Sequence, residues 1–204
     1  MAHDLDCLST ATDMLAALDA GPGGGLHAFP SLRVKASLLQ FATARLPARF
    51  DPAPLPERVR ALLDGRRLVT EWISEVEYHA VTLALWDGHG LDDTAACAFW
   101  YDVIHAQRQS KLYGRLLALV NPSRLLRGAP MVWGYFHRGV RLELASATHD
   151  HAELDLWAPA ALWTPLLLRA YASVFYGAVV RRPPRADDVT IDEGPERTRY
   201  HLRW

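Results

Sequence analysis

The hydrophobic period of this chain changes at Arg141. Upstream, apolar residues recur every three or four positions. Downstream, Leu142 and Leu144 alternate with Arg141, Glu143 and Ala145, and Leu154 and Leu156 alternate with Glu153 and Asp155. The first spacing is that of amphipathic helices, the second that of half-buried strands. A helix follows the two strands, capped by Thr164 with Pro165 at its first position, and turns Leu166, Leu167, Ala170, Val174 and Ala178 toward a core. Then "DVTI", the turn "DEGPE" and "RTRYHLRW" make a second hairpin. Tyr200, Leu202 and Trp204 share one face of its last strand. Arg199, His201 and Arg203 share the other. The expectation is an α+β fold: N-terminal helices, then a ββαββ antiparallel sheet with helices packed on one face.

The helical part is read from periodicity and punctuation. Ser9 or Thr10 caps a first helix, with Leu15, Ala16 and Leu18 on its apolar side, and "AGPGGG" (Ala20 to Gly25) stops it. That glycine run lacks the spacing and the following Lys-Ser/Thr of a phosphate cradle. A helix is expected from Leu32 to Leu46, ended by Pro47, and a shorter one before Gly65. "EWISEVEYHAVTLALWDG" reads as a helix with Trp72, Val76, His79, Ala80 and Leu83 on one face, broken by Gly88 and Gly90. A long helix opens at Asp92 or Asp93 and bends near Gly114. Another starts at Asn121-Pro122 and runs toward Gly139, interrupted at Pro130. The expected organisation is one domain over 1–204: a helix and Gly-rich loop over 1–30, a helical part over 31–138, and the ββαββ part over 139–204.

Parity constrains the first hairpin. Cross-strand neighbours point to the same face, and all four leucines are even-numbered, so paired positions should sum to an even number. Leu144 opposite Leu156 leaves a three-residue loop. Leu144 opposite Leu154 leaves five. An odd-length loop is predicted, built on a type I turn with a bulge. Its tip carries His149, Asp150 and His151. Two histidines in a turn can chelate a metal, but a catalytic centre needs a third ligand and a pocket. A solvated hairpin tip is the plainer reading.

Composition excludes several classes. With 22 basic and 23 acidic residues the net charge is −1, so no global field draws the chain to nucleic acid or an anionic membrane. Two cysteines, Cys7 and Cys97, do not make a disulfide framework. The opening "MAHDLDCLSTATDML" has no basic segment before an apolar one, and no apolar run approaches the ~20 residues of a membrane span. A cytoplasmic protein is expected.

Chemical constellations are sparse. Glu75 and His79 stand one turn apart, and Asp102 and His105 stand at i, i+3. Together they could form a helical metal site, although the further carboxylates of di-iron bundles are missing. No Gly-x-Ser-x-Gly elbow occurs. Ser110 and Ser146 have no positioned base, and Cys97 between two alanines reads as a small buried hydrophobe. The aromatic runs "AFWYDVI" and "MVWGYFHRG" offer Trp100, Tyr101, Trp133, Tyr135 and Phe136, as core or as the lining of an apolar pocket. Arg197, Arg199 and Arg203, with His201, form a basic strand face that is either an ordinary polar surface or a dock for an acidic peptide. An edge position would also admit a partner strand.

The second half resembles a known family. "YGRLLALVNPSRLL", "ELASATHDHAELDLW", "LLLRAYASVFYGAVV" and a closing strand with Tyr200-x-x-x-Trp204 are similar to a myxobacteria-centred set of paralogous domains of unknown function. The resemblance covers about Trp72 to Trp204. That family is similar in fold to the vinyl-reductase-like ligand-binding domains, the TRAPP trafficking subunits and the haem nitric-oxide-binding domains. The resemblance implies an α+β domain for ligand sensing or protein association, and a homodimer. Haem members carry a proximal histidine on the helix before the sheet and a Tyr-x-Ser-x-Arg motif in the sheet region. Here His105 comes too early and that motif is absent, as is the cysteine cluster of some relatives. No haem, zinc or other cofactor is therefore expected. The functional expectation is a non-enzymatic binding or adaptor module for a small apolar ligand, a peptide or a partner protein. The alternative is a metal-dependent enzyme or accessory subunit using Glu75, His79, Asp102 and His105.

Overall fold

The computed structural model describes residues 9–21, 24–47, 50–64, 70–90, 93–109, 122–180, 182, 184–185 and 187–204. Cys7, Gly65, Asp92, Ser110, Gly114, Asn121 and the side chain of Cys97 lie outside that set. The chain divides into two compact units, Met1–Asp92 and Asp93–Trp204.

The first unit is built around one helix. Its elements are α1 (Ser9–Ala20), β1 (Arg33–Lys35), α2 (Gln40–Thr43), α3 (Glu57–Leu63), β2 (Trp72–Ser74) and α4 (Glu75–His89). Ser74 caps α4 by accepting from the Val76 N–H at 3.2 Å, and Glu77 reaches back to the Ser74 N–H at 3.4 Å. Gly90, at φ 58°, closes the helix in a left-handed turn. Every residue from Glu75 to Trp86 is buried. The predicted single apolar face is therefore too narrow, because the unit wraps this helix on all sides. The helix predicted over 32–46 is also corrected. Val34 pairs with Ile73 in a short antiparallel ladder, followed by a 3-10 turn and only one turn of α2. A partner strand from 39 residues away overrides the local helical spacing, and Val34 becomes fully buried.

The N-terminus of α1 is capped by a side chain from α4. Asp87 accepts from the Thr10 hydroxyl, and from the Ala11 N–H at 3.2 Å. A carboxylate there satisfies orphan donors and meets the positive end of the helix dipole. Burial pushes the Asp87 carboxyl up, and these hydrogen bonds work against that shift. Asp87→Ala is expected to cost about 1 kcal/mol. Amide exchange should accelerate at Ala11 to Met14; unchanged rates would show that α1 holds its first turn without this cap.

The second unit contains α5 (Asp93–Gln109), α6 (Pro122–Phe136), β3 (His137–Arg138), β4 (Arg141–Ala147), β5 (His151–Trp157), α7 (Pro165–Val179), β6 (Val189–Glu193) and β7 (Arg197–Arg203). The last four strands form one antiparallel sheet in the order β4-β5-β7-β6. The α+β expectation with late ββαββ order is therefore met. Leu142, Ala152, Leu154, Leu156, Tyr200 and Leu202 make its buried face. Thr164 and Pro165 start α7 as expected, and the Thr164 hydroxyl accepts from the Leu167 N–H at 3.4 Å. Leu167 and Ala170 are buried as predicted, whereas Leu166, Val174 and Ala178 are half-buried, so the buried side of α7 is rotated from the predicted one. It runs through Leu167, Leu168, Tyr171, Phe175 and Val179, because aromatic bulk rather than average hydropathy fills the space over the sheet. Helix α6 continues through Pro130, where an interruption was predicted. A proline removes one hydrogen bond, and packing of α6 on β4 outweighs that loss. At Gly177 a Cβ would lie 2.5 Å from Ile104 Cγ2, so only glycine admits the close approach of α5 to α7.

The first hairpin corrects the parity argument. Leu142 pairs with Leu156 and Leu144 with Leu154, but Ser146 then pairs with Glu153 and Ala147 with Ala152. A bulge at Ala145 changes the parity before the turn is reached. The Thr148 N–H donates to the His151 carbonyl at 2.8 Å, which leaves an even loop of His149 and Asp150. Strand β7 lies inside the sheet, between β5 and β6, so it offers no free edge to a partner strand. Among the described residues no helix is long and apolar enough to cross a membrane.

Candidate functional site

Odd-numbered residues of β5 and β7 project from the sheet face opposite the leucines. Apart from Trp157 they are polar, and they meet in cross-strand rows. Asp155 stands opposite Arg199, Glu153 opposite His201, and His151 opposite Arg203. Strand β6 adds Thr190 beside His201 and Asp192 beside Arg199.

The central row is an ion pair with forked geometry. Arg199 Nε and Nη2 donate to the two Asp155 oxygens, each at 2.7 Å. The Arg197 guanidinium stands 3.8 Å from the same carboxylate, and Arg199 Nη1 reaches Glu153 at 3.6 Å. The Arg199 hydrogen bonds hold the Asp155 carboxyl below its ordinary range, and the same pairing raises Arg199. His201 is held from both sides: Nδ1 is 3.3 Å from Glu153 Oε1 and Nε2 is 2.8 Å from Asp192 Oδ2. At the far end, Trp157 lies between the Arg141 and Arg197 guanidiniums at 4.7 and 5.8 Å and donates to Glu143 at 2.9 Å. The predicted basic strip is thus charge-balanced by acids on neighbouring strands, which reading β7 alone could not show. Arg203 differs from its neighbours. Among the described residues its guanidinium has no ion pair or hydrogen bond.

An open cleft of about 360 Å³ lies over this face, lined by His151, Glu153, Thr190, Asp192, His201 and Arg203. The hairpin tip feeds into it. His149 is almost fully exposed, whereas His151 bonds the Thr148 hydroxyl through Nδ1 at 2.6 Å and turns into the cleft wall. Sequence reasoning named Arg203 as a binding candidate, read His151 as part of a solvated hairpin tip, and missed Glu153, Thr190 and Asp192, which join only through strand register.

The predicted aromatic residues divide. Trp133 is buried, stacks on His137 at 3.7 Å and 8°, and donates to the Val140 carbonyl at 3.0 Å. Trp163, Tyr171 and Phe175 surround it at 5.7–6.2 Å, and Tyr200 continues the cluster through Phe175. Phe136 is buried beside Tyr135, which is 62% exposed. Tyr101 lies against Gly177 and stacks on His105, while Trp100 meets Phe99 edge-on. No ring contact joins Trp100 or Tyr101 to Trp133 among the described residues. The Tyr200 hydroxyl is fully buried, has no hydrogen-bond partner among the described residues, and burial pushes it well above the ordinary phenol range. Tyr200→Phe is expected to stabilise the protein by about 1 kcal/mol or more. Thermal melts test this; a lower Tm would show that the hydroxyl is needed.

Of the metal candidates, Glu75 and His79 meet at 3.6 Å and both are fully buried. Asp102 is exposed on α5, and His105 Nδ1 accepts from Gln109 at 3.2 Å. Among the described residues no group of three or more His, Cys, Asp or Glu side chains is placed to hold a metal ion.

No protein-family profile matches the chain, and neither does any curated protein. Solved structures do. The fold is similar to that of the Fe(II) unliganded H-NOX protein from K. algicida, with TM-score 0.55 at 10% identity over 83% of this chain and 96% of that one. It is equally similar, at TM-score 0.55 and 11% identity, to a structure from work on modulating haem redox potential through protein-induced porphyrin distortion, over 83% and 99% of the two chains. This chain has an H-NOX-like fold.

The side chains present do not fit a haem held in that manner. Helix α6, which leads into the sheet, carries no histidine. His137, just beyond it, is buried with its ring stacked on Trp133. Strands β4 and β5 read RLELASA and HAELDLW, without the Tyr-x-Ser-x-Arg pattern.

Proposed function

We propose that this chain is a non-enzymatic binding module whose ligand occupies the cleft on the outer sheet face. One observation carries the reading: most of the cleft's charged wall stands on the interior strands β5 and β7, with Asp192 from the edge strand β6, and is held by Arg199–Asp155 and by the two-sided contacts of His201. Such groups are ordered before a ligand arrives, which lowers the entropic cost of binding. The same contacts argue against turnover. Both His201 nitrogens are engaged, so the ring lacks a free position to take a proton from Thr190, the cleft's one hydroxyl among its described lining residues. The H-NOX-like fold is compatible with ligand binding, and the misfit to haem directs attention to another ligand.

Native mass spectrometry of freshly purified protein, repeated under denaturing conditions, tests this proposal. The expected result is a mass increment lost on denaturation, with slowed amide exchange in β5 and β7. The same spectra give the oligomeric state, for which a homodimer is the expectation. Protection confined to other elements, or chemical conversion of the ligand, overturns the reading.

A further inference from the structure

The cleft's own hydrogen bonding selects the charge of its ligand. Its acids are already engaged: Glu153 by His201 and Arg199, and Asp192 by His201. What remains uncommitted among the described residues is different in kind. The Arg203 guanidinium has no partner, the Thr190 hydroxyl has none, and His151 uses Nδ1 on Thr148 while Nε2 has none. Arg203 can only donate and Thr190 can donate, whereas His151 Nε2 donates only when the ring carries both protons, because the Thr148 hydroxyl gives its proton to Asp150 and so accepts from Nδ1. His151 and Arg203 are direct cross-strand partners, and Thr190 is carried on the adjoining strand beside His201. Direct neighbours of this type hold their Cβ atoms ~5 Å apart, which suits two donors converging on one small group.

We propose that the cleft binds a small oxyanion, a carboxylate or a phosphate, gripped by Arg203 with Thr190, and with His151 when its ring carries both protons, as supporting donors. This deepens the binding-module reading and rests on it. Arg203 supplies the charge and the planar fork that matches two anion oxygens. Glu153 faces the fixed charge of Arg199 and Asp192 is hydrogen-bonded by His201, so neither carboxylate stands alone in the cleft. They also set a size limit: an anion reaching past Arg203 meets His201 already bound on both sides.

The test is a heteronuclear NMR titration of the full chain with sodium acetate and, separately, sodium phosphate, with sodium chloride holding ionic strength constant. Saturable shifts are expected at residues 151–153, 190–192 and 201–203 with at least one anion. Arg203→Gln should weaken binding about tenfold or more, and Arg203→Lys should restore part of the loss. A response to acetate alone assigns the carboxylate class. A response to phosphate alone assigns the phosphate class. Non-saturating shifts spread over exposed arginines, or saturable shifts that Arg203→Gln leaves intact, overturn the inference. A ligand that protects β5 and β7 yet ignores Arg203→Gln would preserve the binding-module reading and end this one.

Discussion

Trp133→Ala is expected to destabilise the protein by about 3–5 kcal/mol, the range for truncating a large buried aromatic. The indole stacks on His137, lies within 6.2 Å of the ring centroids of Trp163, Tyr171 and Phe175, and ties α6 to the Val140 carbonyl. Its loss leaves a cavity that rigid rings cannot close by small rotations. Denaturant unfolding should show a lower midpoint at unchanged slope, and the near-ultraviolet circular dichroism should weaken. Trp133→Phe should lose roughly half as much, since it keeps the stack and gives up the hydrogen bond. A cost under about 1 kcal/mol for the alanine variant would mean that the rings repack freely around the gap, contrary to a close-packed core.

Asp155→Ala is the second large effect, expected at about 2–3 kcal/mol. Removing one member of a buried pair strands the other. Here the cost is reduced because Arg199 remains 29% exposed and keeps part of its hydration. The sign of the pH dependence follows from the Asp155 carboxyl being held below its ordinary range. The folded state then favours the ionised form, so the stabilisation is complete above the unfolded-state carboxylate pKa and is lost as pH falls through the folded-state value. The wild type should therefore lose more stability on acidification than Asp155→Ala. Asp188 adds to the same acid slope in both proteins, because Arg182, the Arg185 N–H and the Tyr176 hydroxyl all bond its carboxylate. Midpoints measured at neutral pH and near pH 3 check this. A constant difference between the two proteins would show that the pair is not ionised as drawn. A double-mutant cycle with Arg199→Ala isolates the pairwise energy.

The readings that held are those set by local chemistry. Thr164-Pro165 and Gly90 mark helix ends through capping and backbone geometry confined to a few residues. The strand faces of Leu142, Leu154, Leu156, Tyr200 and Leu202 follow from a period of two, which the pleat imposes wherever the strand pairs. The readings that failed depended on strand partners or irregularities that the local pattern does not announce. Residues 33–35 became a strand because 72–74 lay alongside. The hairpin loop became even because of a bulge at Ala145, which carries no glycine or proline to announce it. Chain order alone does not reveal that β7 lies inside the sheet and not at its edge.

The candidate site divides in the same way. Sequence alone determined that Arg199, His201 and Arg203 share a face, since alternation along one strand requires it. It also shows that the Tyr-x-Ser-x-Arg pattern does not occur. Only the tertiary structure decided which of those cations are neutralised. Asp155 and Glu153 arrive from β5 and Asp192 from β6, through a register set by packing of the opposite face. Charge at a site is a sum over neighbouring strands, and a single strand records only its own contribution. That is why a basic strip in the sequence became a balanced network with one uncommitted guanidinium, Arg203, among its described residues.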